Sequence, residues 1–195
     1  FQSDKQKVEI PFGDCITGQQ AQSLTKLINK HKMAFSASQF DIGLISNYRY
    51  GIKLKPDAKV WHQPPRRISP KAYSEVSKIF ENEMKYDLIS ESSSQYSIPL
   101  VLVRKNTGEY RICYDMREAN QNICLEKFPL PDIYSVFDQI SRSITEAKGD
   151  STIYISRYDL RQAYRQLSVR KSDRDKFSFC FDSKMYKSNR MPFGV

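Results

Sequence analysis

The sequence predicts an α+β fold with an antiparallel sheet and packed helices, and three observations carry that expectation. Apolar residues recur at helical spacing in separate stretches, two hairpins are marked by turn residues beside a β-branched run in one and a period-two strand in the other, and no strict strand–helix–strand repetition is present. At 195 residues, with 39% hydrophobic and 12% aromatic content, the chain can bury a core.

The first helix is set by Thr17 and Gln20, which have capping-box spacing, followed by Ala21, Leu24, Leu27 and Ile28. The pattern then weakens into an extended stretch punctuated by Gly43, Gly51, Pro56, Pro64 and Pro65, so residues 1–68 read as a connector and residues 69–195 as the main unit. A second helix opens at Ser69-Pro70, with Ser69 as a cap and Pro70 at the first helical position, and Val76, Ile79, Phe80 and Met84 as its buried face. A serine-rich break follows at residues 90–94. Pro99 to Arg104 and Tyr110 to Asp115 are the strands of a hairpin around Asn106-Thr107-Gly108-Glu109.

A third helix is signalled by Ile133, Val136, Phe137 and Ile140 after Pro129-Leu-Pro-Asp132. Residues 151–158 read as a strand that delivers Asp159 to its end, and Leu160, Tyr164 and Leu167 resume helical spacing. A last hairpin runs from Lys176-Phe-Ser-Phe-Cys-Phe181 through Asp182-Ser183 to Met185-Tyr186.

A formal charge of +9 favours an anionic partner. Near the end of the chain cations alternate with aromatics (Arg157, Tyr158, Arg161, Tyr164, Arg165, then Lys176, Phe177, Phe179), which suits a groove along a phosphate backbone or, equally, a solvated basic face. No run approaches the ~20 apolar residues of a membrane span, and the first residues lack signal-peptide features, which argues against a membrane partner and against secretion. The cysteines Cys15, Cys113, Cys124 and Cys180 form no metal-ligand spacing and read as reduced intracellular thiols.

Asp159 is the strongest candidate for chemistry: a carboxylate in the most basic part of the chain needs either arginine partners, such as Arg157 and Arg161, or a cation. Here the sequence resembles a known family. Tyr154-Ile-Ser-Arg-Tyr-Asp-Leu-Arg-Gln-Ala-Tyr-Arg-Gln-Leu is similar to the first catalytic-aspartate motif of gypsy-type reverse transcriptases. Residues 99–120, Phe128-Pro-Leu-Pro-Asp-Ile133 and Met191-Pro-Phe-Gly194 resemble three further motifs of that family in the family's order.

The resemblance implies the fingers hairpin and partial palm of a right-hand polymerase, in the Pol polyprotein of a retrotransposon. Its activity would be RNA-directed DNA synthesis, nucleotidyl transfer from a dNTP to a primer 3′-OH on an RNA or DNA template with two Mg2+ ions. It implies Asp159 as a catalytic metal ligand with the carbonyl of Leu160, and Tyr164 under the nucleotide sugar, though Tyr164 reads equally as a core residue. Arg111 would meet the base and α-phosphate; Arg104, or Lys105 instead, the γ-phosphate. Phe193 would shape the pocket wall, and Asp115, Arg117 and Asn120 would position the template or form only a local polar network. Without the resemblance, the hairpin arginines would read as solvated.

The expected partners are a primer–template, dNTP and the remaining Pol regions (the rest of the palm, thumb, ribonuclease H), in an intracellular, cytoplasmic particle. The sequence stops before the family's Tyr-x-Asp-Asp motif, so the isolated fragment is expected to be inactive; a non-catalytic nucleic-acid-binding remnant is the alternative.

Overall fold

In the computed structural model, which describes residues 16–36, 38, 40–124, 129–146 and 158–195, the capping box at Thr17 is formed. Its hydroxyl accepts from the Gln20 backbone while the Gln20 side chain accepts from the Thr17 N–H, and helix α1 runs Gly18–Lys30. Only Ile28 of that helix is buried.

Helix α2, Pro70–Lys85, is the spine of the packed region. Ser69 caps it through its backbone carbonyl, which accepts from the Ala72 and Tyr73 N–H groups, and not through its hydroxyl as the sequence suggested. The buried face is Ala72, Val76, Phe80 and Glu83. Met84, expected inside, lies 42% exposed because the face that meets the sheet falls one position earlier. Against this face lie strands β3 (Leu100–Arg104) and β4 (Tyr110–Tyr114) and the sheet of β2 (Ile89–Glu91), β6 (Ser178–Phe181) and β7 (Lys184–Ser188). Phe80 stacks on Phe181 at 4.3 Å between ring centroids; such pairs add about 0.5–1.5 kcal/mol beyond their buried area.

Both expected hairpins form. β3 and β4 pair antiparallel with Arg104 opposite Tyr110, and the Lys105 N–H donates to the Glu109 carbonyl across the turn. β6 and β7 pair around Asp182 and Ser183, both at positive φ (50° and 59°), the geometry of a tight two-residue hairpin turn. The serine-rich stretch is not simply a break. Ile89–Glu91 pairs antiparallel with β7, giving the sheet order β2-β7-β6.

A second apolar cluster gathers Trp61, Ile98, Met116, Ala119, Ile123, Val169 and Phe177. It draws in the extended N-terminal stretch: β1 (Arg49–Tyr50) pairs in parallel with β5 (Ser168–Val169), and the fully buried Trp61 donates its indole N–H to the Lys176 carbonyl. Helix α3 (Arg117–Asn122), unmarked by any apolar period, contributes Ala119 to this cluster.

Helix α4 forms over Ile133–Glu146 as its spacing predicts, yet none of its residues is buried. The strand expected over residues 151–158 lies outside the described residues, apart from Tyr158. After Asp159 the helical spacing yields only a single 3-10 turn, Ala163–Gln166. Gln162 before it takes a left-handed conformation (φ 46°) and Leu167 after it is extended, so backbone geometry at both ends stops an α-helix. No helix among the described residues is long and apolar enough to cross a membrane.

Candidate functional site

The turn at residues 163–166 and the segment after β7 bring Tyr164 and Phe193 together, edge to face, with ring centroids 5.6 Å apart and planes at 68°. Tyr164 keeps 49% of its surface exposed, so the pair forms a wall open to solvent. The Met191–Gly194 segment behind Phe193 is fixed from α3: Asn120 donates its amide to the Gly194 carbonyl at 2.7 Å. Gly194 needs its positive φ of 93°, a conformation costly for any side chain.

Asp159 is exposed, and among the described residues it has neither a hydrogen-bond nor an ion-pair partner. Arg161 does not pair with it, and Arg157 lies outside the described residues. Leu160 is 68% exposed beside it. A free carboxylate can receive a cation, but no group of three His, Cys, Asp or Glu suited to a metal occurs among the described residues. A magnesium pair wants several oxygen ligands, so these residues by themselves do not fit one.

The hairpin register separates two residues that the sequence reading grouped. Directly opposed residues share a face and neighbours alternate. Arg104 pairs with Tyr110, and Leu102 with Ile112, on the face that packs on the core. Val103 pairs with Arg111 on the outer face. Arg104 and Arg111 therefore leave the hairpin on opposite sides, and Arg104 donates its Nε to the turn carbonyl of Gly108 at 3.1 Å. Lys105, one position on, alternates back toward the side of Arg111; its ammonium sits 2.9 Å from Glu109. Arg111 is exposed and unpaired among the described residues.

Asp115 is the buried anchor at the base of the hairpin. Arg117 donates to both of its oxygens, Nε to Oδ1 at 2.8 Å and Nη2 to Oδ2 at 2.7 Å, and Arg66 donates to Oδ2 as well. The hydrogen bonds from Arg117 hold the carboxyl down at about 2 against the desolvation that would raise it. Arg66 was not anticipated, because an ion pair across 49 residues leaves no local signal.

The basic and aromatic alternation toward the end of the chain is not one groove. Phe177 and Phe179 are in the core, Lys176 pairs with the buried Asp173, and Arg165 turns inward to Glu83 of α2 at 2.6 Å. Of the cations in that series, Arg161 is the exposed one among the described residues. Glu83 did leave a signal: it continues the buried spacing of Ala72, Val76 and Phe80, a position where an acid needs a cationic partner.

No family model matches the chain. It is similar to the retrovirus-related Pol polyprotein from transposon 412 of Drosophila melanogaster, 27% identical over 88% of this chain and 14% of that protein. It is 29% identical to the Pol polyprotein from transposon gypsy of the same fly, over 62% of this chain and 12% of that one. The transposon Tf2-3 polyprotein of Schizosaccharomyces pombe is 26% identical over 80% of this chain and 10% of its own length. The chain thus spans about a seventh or less of the polyproteins it matches. Among solved structures, prototype foamy virus protease-reverse transcriptase overlays 93% of this chain and 23% of its own, with TM-score 0.75 at 20% identity. A foamy viral protease-reverse transcriptase in complex with an RNA/DNA hybrid overlays the same share with TM-score 0.74 at 17% identity. The relatives of this chain include retrotransposon Pol polyproteins, and its α+β fold is one that it shares with the foamy virus protease-reverse transcriptases.

Proposed function

We propose that the chain is part of an RNA-directed DNA polymerase of a retrotransposon, and that the Tyr164–Phe193 wall lines its nucleotide site. The observation that carries this reading is the aromatic pair standing open to solvent, with the exposed, unpartnered carboxylate of Asp159 five residues before Tyr164 in the chain. Tyr164 would meet the sugar edge of a dNTP. Arg111 would meet its phosphates from the outer face of the hairpin, and the register favours Lys105 over Arg104 as the second phosphate contact. Arginine's planar fork suits phosphate oxygens, and a lysine adds a point charge.

The reading assigns the transfer of a nucleotide to a primer 3′-OH to an assembled polymerase that also contains the remaining Pol regions. There Asp159, with the Leu160 carbonyl, would be one magnesium ligand among others from outside the described residues. Magnesium would supply charge neutralisation at the transferring phosphoryl group. With Asp159 as the one candidate metal-binding carboxylate proposed among the described residues, the 195-residue chain by itself is expected to have no polymerase activity. Asp115, Arg117 and Asn120 would hold hairpin and wall in register beside the template. The setting would be intracellular, in a cytoplasmic particle.

The same lone carboxylate favours, as a second reading, a nucleic-acid-binding module without catalysis. Fluorescence anisotropy with a labelled RNA/DNA hybrid primer–template separates the two. The polymerase reading expects binding that weakens steeply with salt and tightens when the next templated dNTP is added, with Arg111→Ala removing the dNTP effect. Binding that ignores dNTP supports the second reading, and no binding at low salt contradicts both.

A further inference from the structure

The ion pair between Glu83 and Arg165 is an expensive way to fill the junction of α2 and the 163–166 turn. Their side chains are 6% and 11% exposed, and a single short bond, Arg165 Nη1 to Glu83 Oε1, joins them. Glu83 Oε2 and Arg165 Nη2 are buried and find no hydrogen-bond partner among the described residues. A buried pair with unmet bonding capacity stabilises no better than apolar residues of similar volume. Stability alone therefore does not explain it.

Its position does. Arg165 directly follows Tyr164, and the turn that holds both is too short to fix its own orientation: it is entered through the left-handed Gln162, with the Arg165 N–H donating to the Gln162 carbonyl and the Leu167 N–H to the Tyr164 carbonyl. The Arg165 carbonyl also accepts from Arg190 Nη1 at 3.4 Å, three residues before Phe193. Both rings of the wall are thus connected through Arg165 to a carboxylate on α2, the helix with the most buried face among the described residues. The same helix holds the phosphate-facing hairpin, since Glu75 accepts from the Tyr110 N–H at 2.7 Å.

We infer that the Glu83–Arg165 ion pair is a positioning device that holds Tyr164 edge-on against Phe193 and thereby sets how strictly the site distinguishes a deoxyribose from a ribose. This rests on the nucleotide-site reading. Neither residue touches the nucleotide; both act through Tyr164, whose edge rejects a 2′-hydroxyl only while the ring stays where it is. A tilt of the turn would open room for that hydroxyl.

The test places 3-fluorotyrosine at position 164 of the 195-residue chain and follows its 19F resonance while dATP or ATP is added. Glu83→Gln leaves a buried cation without its charge partner and is expected to unfold more easily, so Glu83→Leu/Arg165→Met is measured beside it as a variant that keeps the thermal midpoint. The expected wild-type result is one narrow resonance that responds to dATP with a Kd about tenfold below that for ATP. In the double variant the resonance shifts or broadens and the ratio falls toward one. An unchanged resonance and ratio in the double variant overturns the inference. A resonance displaced by the variants in a chain whose wild type does not distinguish the nucleotides supports the positioning of Tyr164 and contradicts the nucleotide-site reading instead.

Discussion

Helices α2 and α4 are written with the same apolar spacing and meet different fates. α2 buries Ala72, Val76 and Phe80 under a layer of rings from Phe179, Phe181 and Tyr186. On α4, Ile133, Phe137, Ile140 and Ile144 are all at least 44% exposed, with Leu130 before it at 83%. The periodicity of a segment says that it is a helix and which face is apolar; it does not say what covers that face. The covered helix carries the interior ion pair and the hairpin contact, so the organisation of the candidate site depends on α2.

The contrast breaks most readily at the two phenylalanines. Phe80→Ala is expected to lower unfolding free energy by about 3–5 kcal/mol, whereas Phe137→Ala should stay within about 0.5 kcal/mol of wild type, as for an exposed site. Urea unfolding of the two variants measures both, and equal losses would show that α4 is packed in solution. Next is the anchor of the packed region. Asp115 titrates at about 2 in the folded chain and near 3.9 when unfolded. Its contribution is therefore complete above about pH 4 and is lost as pH falls through about 2. Urea midpoints measured across that window should drop in the wild type and drop less in Asp115→Asn; parallel curves would remove the anchor. A smaller loss than at Phe80 is expected in α1, where Thr17→Ala should cost about 1 kcal/mol. Amide exchange in residues 18–21 should speed up while α2 is untouched.

What was legible in the sequence was local. The Thr17–Gln20 cap, the Pro70 helix start, the 106–109 turn and the Asp182–Ser183 hairpin are decided by neighbours within a few residues, and each appears as expected. Strand β2 was not legible, because Ile89–Glu91 becomes strand only by pairing with β7 almost a hundred residues away. The turn after Asp159 misled because apolar spacing does not register a left-handed Gln162. For the site, the sequence named both Tyr164 and Phe193, which the fold brings into contact, and it grouped Arg104 with Arg111, which strand parity sets on opposite faces. Arg165 looked like one more surface cation; its partner, an acid on the apolar face of α2, was the clue that it goes inside.

On the proposed reading, Tyr164 and Phe193 form the sugar side of a deoxynucleotide site. Equilibrium binding of dATP and ATP to the chain bound to an RNA/DNA hybrid primer–template with thymine as the next template base, compared between wild type and Tyr164→Ala, tests it most directly. The wild type is expected to favour dATP and the variant to accept both alike by gaining affinity for ATP. Equal affinities in the wild type, or a preference that survives removal of the Tyr164 ring, would contradict it.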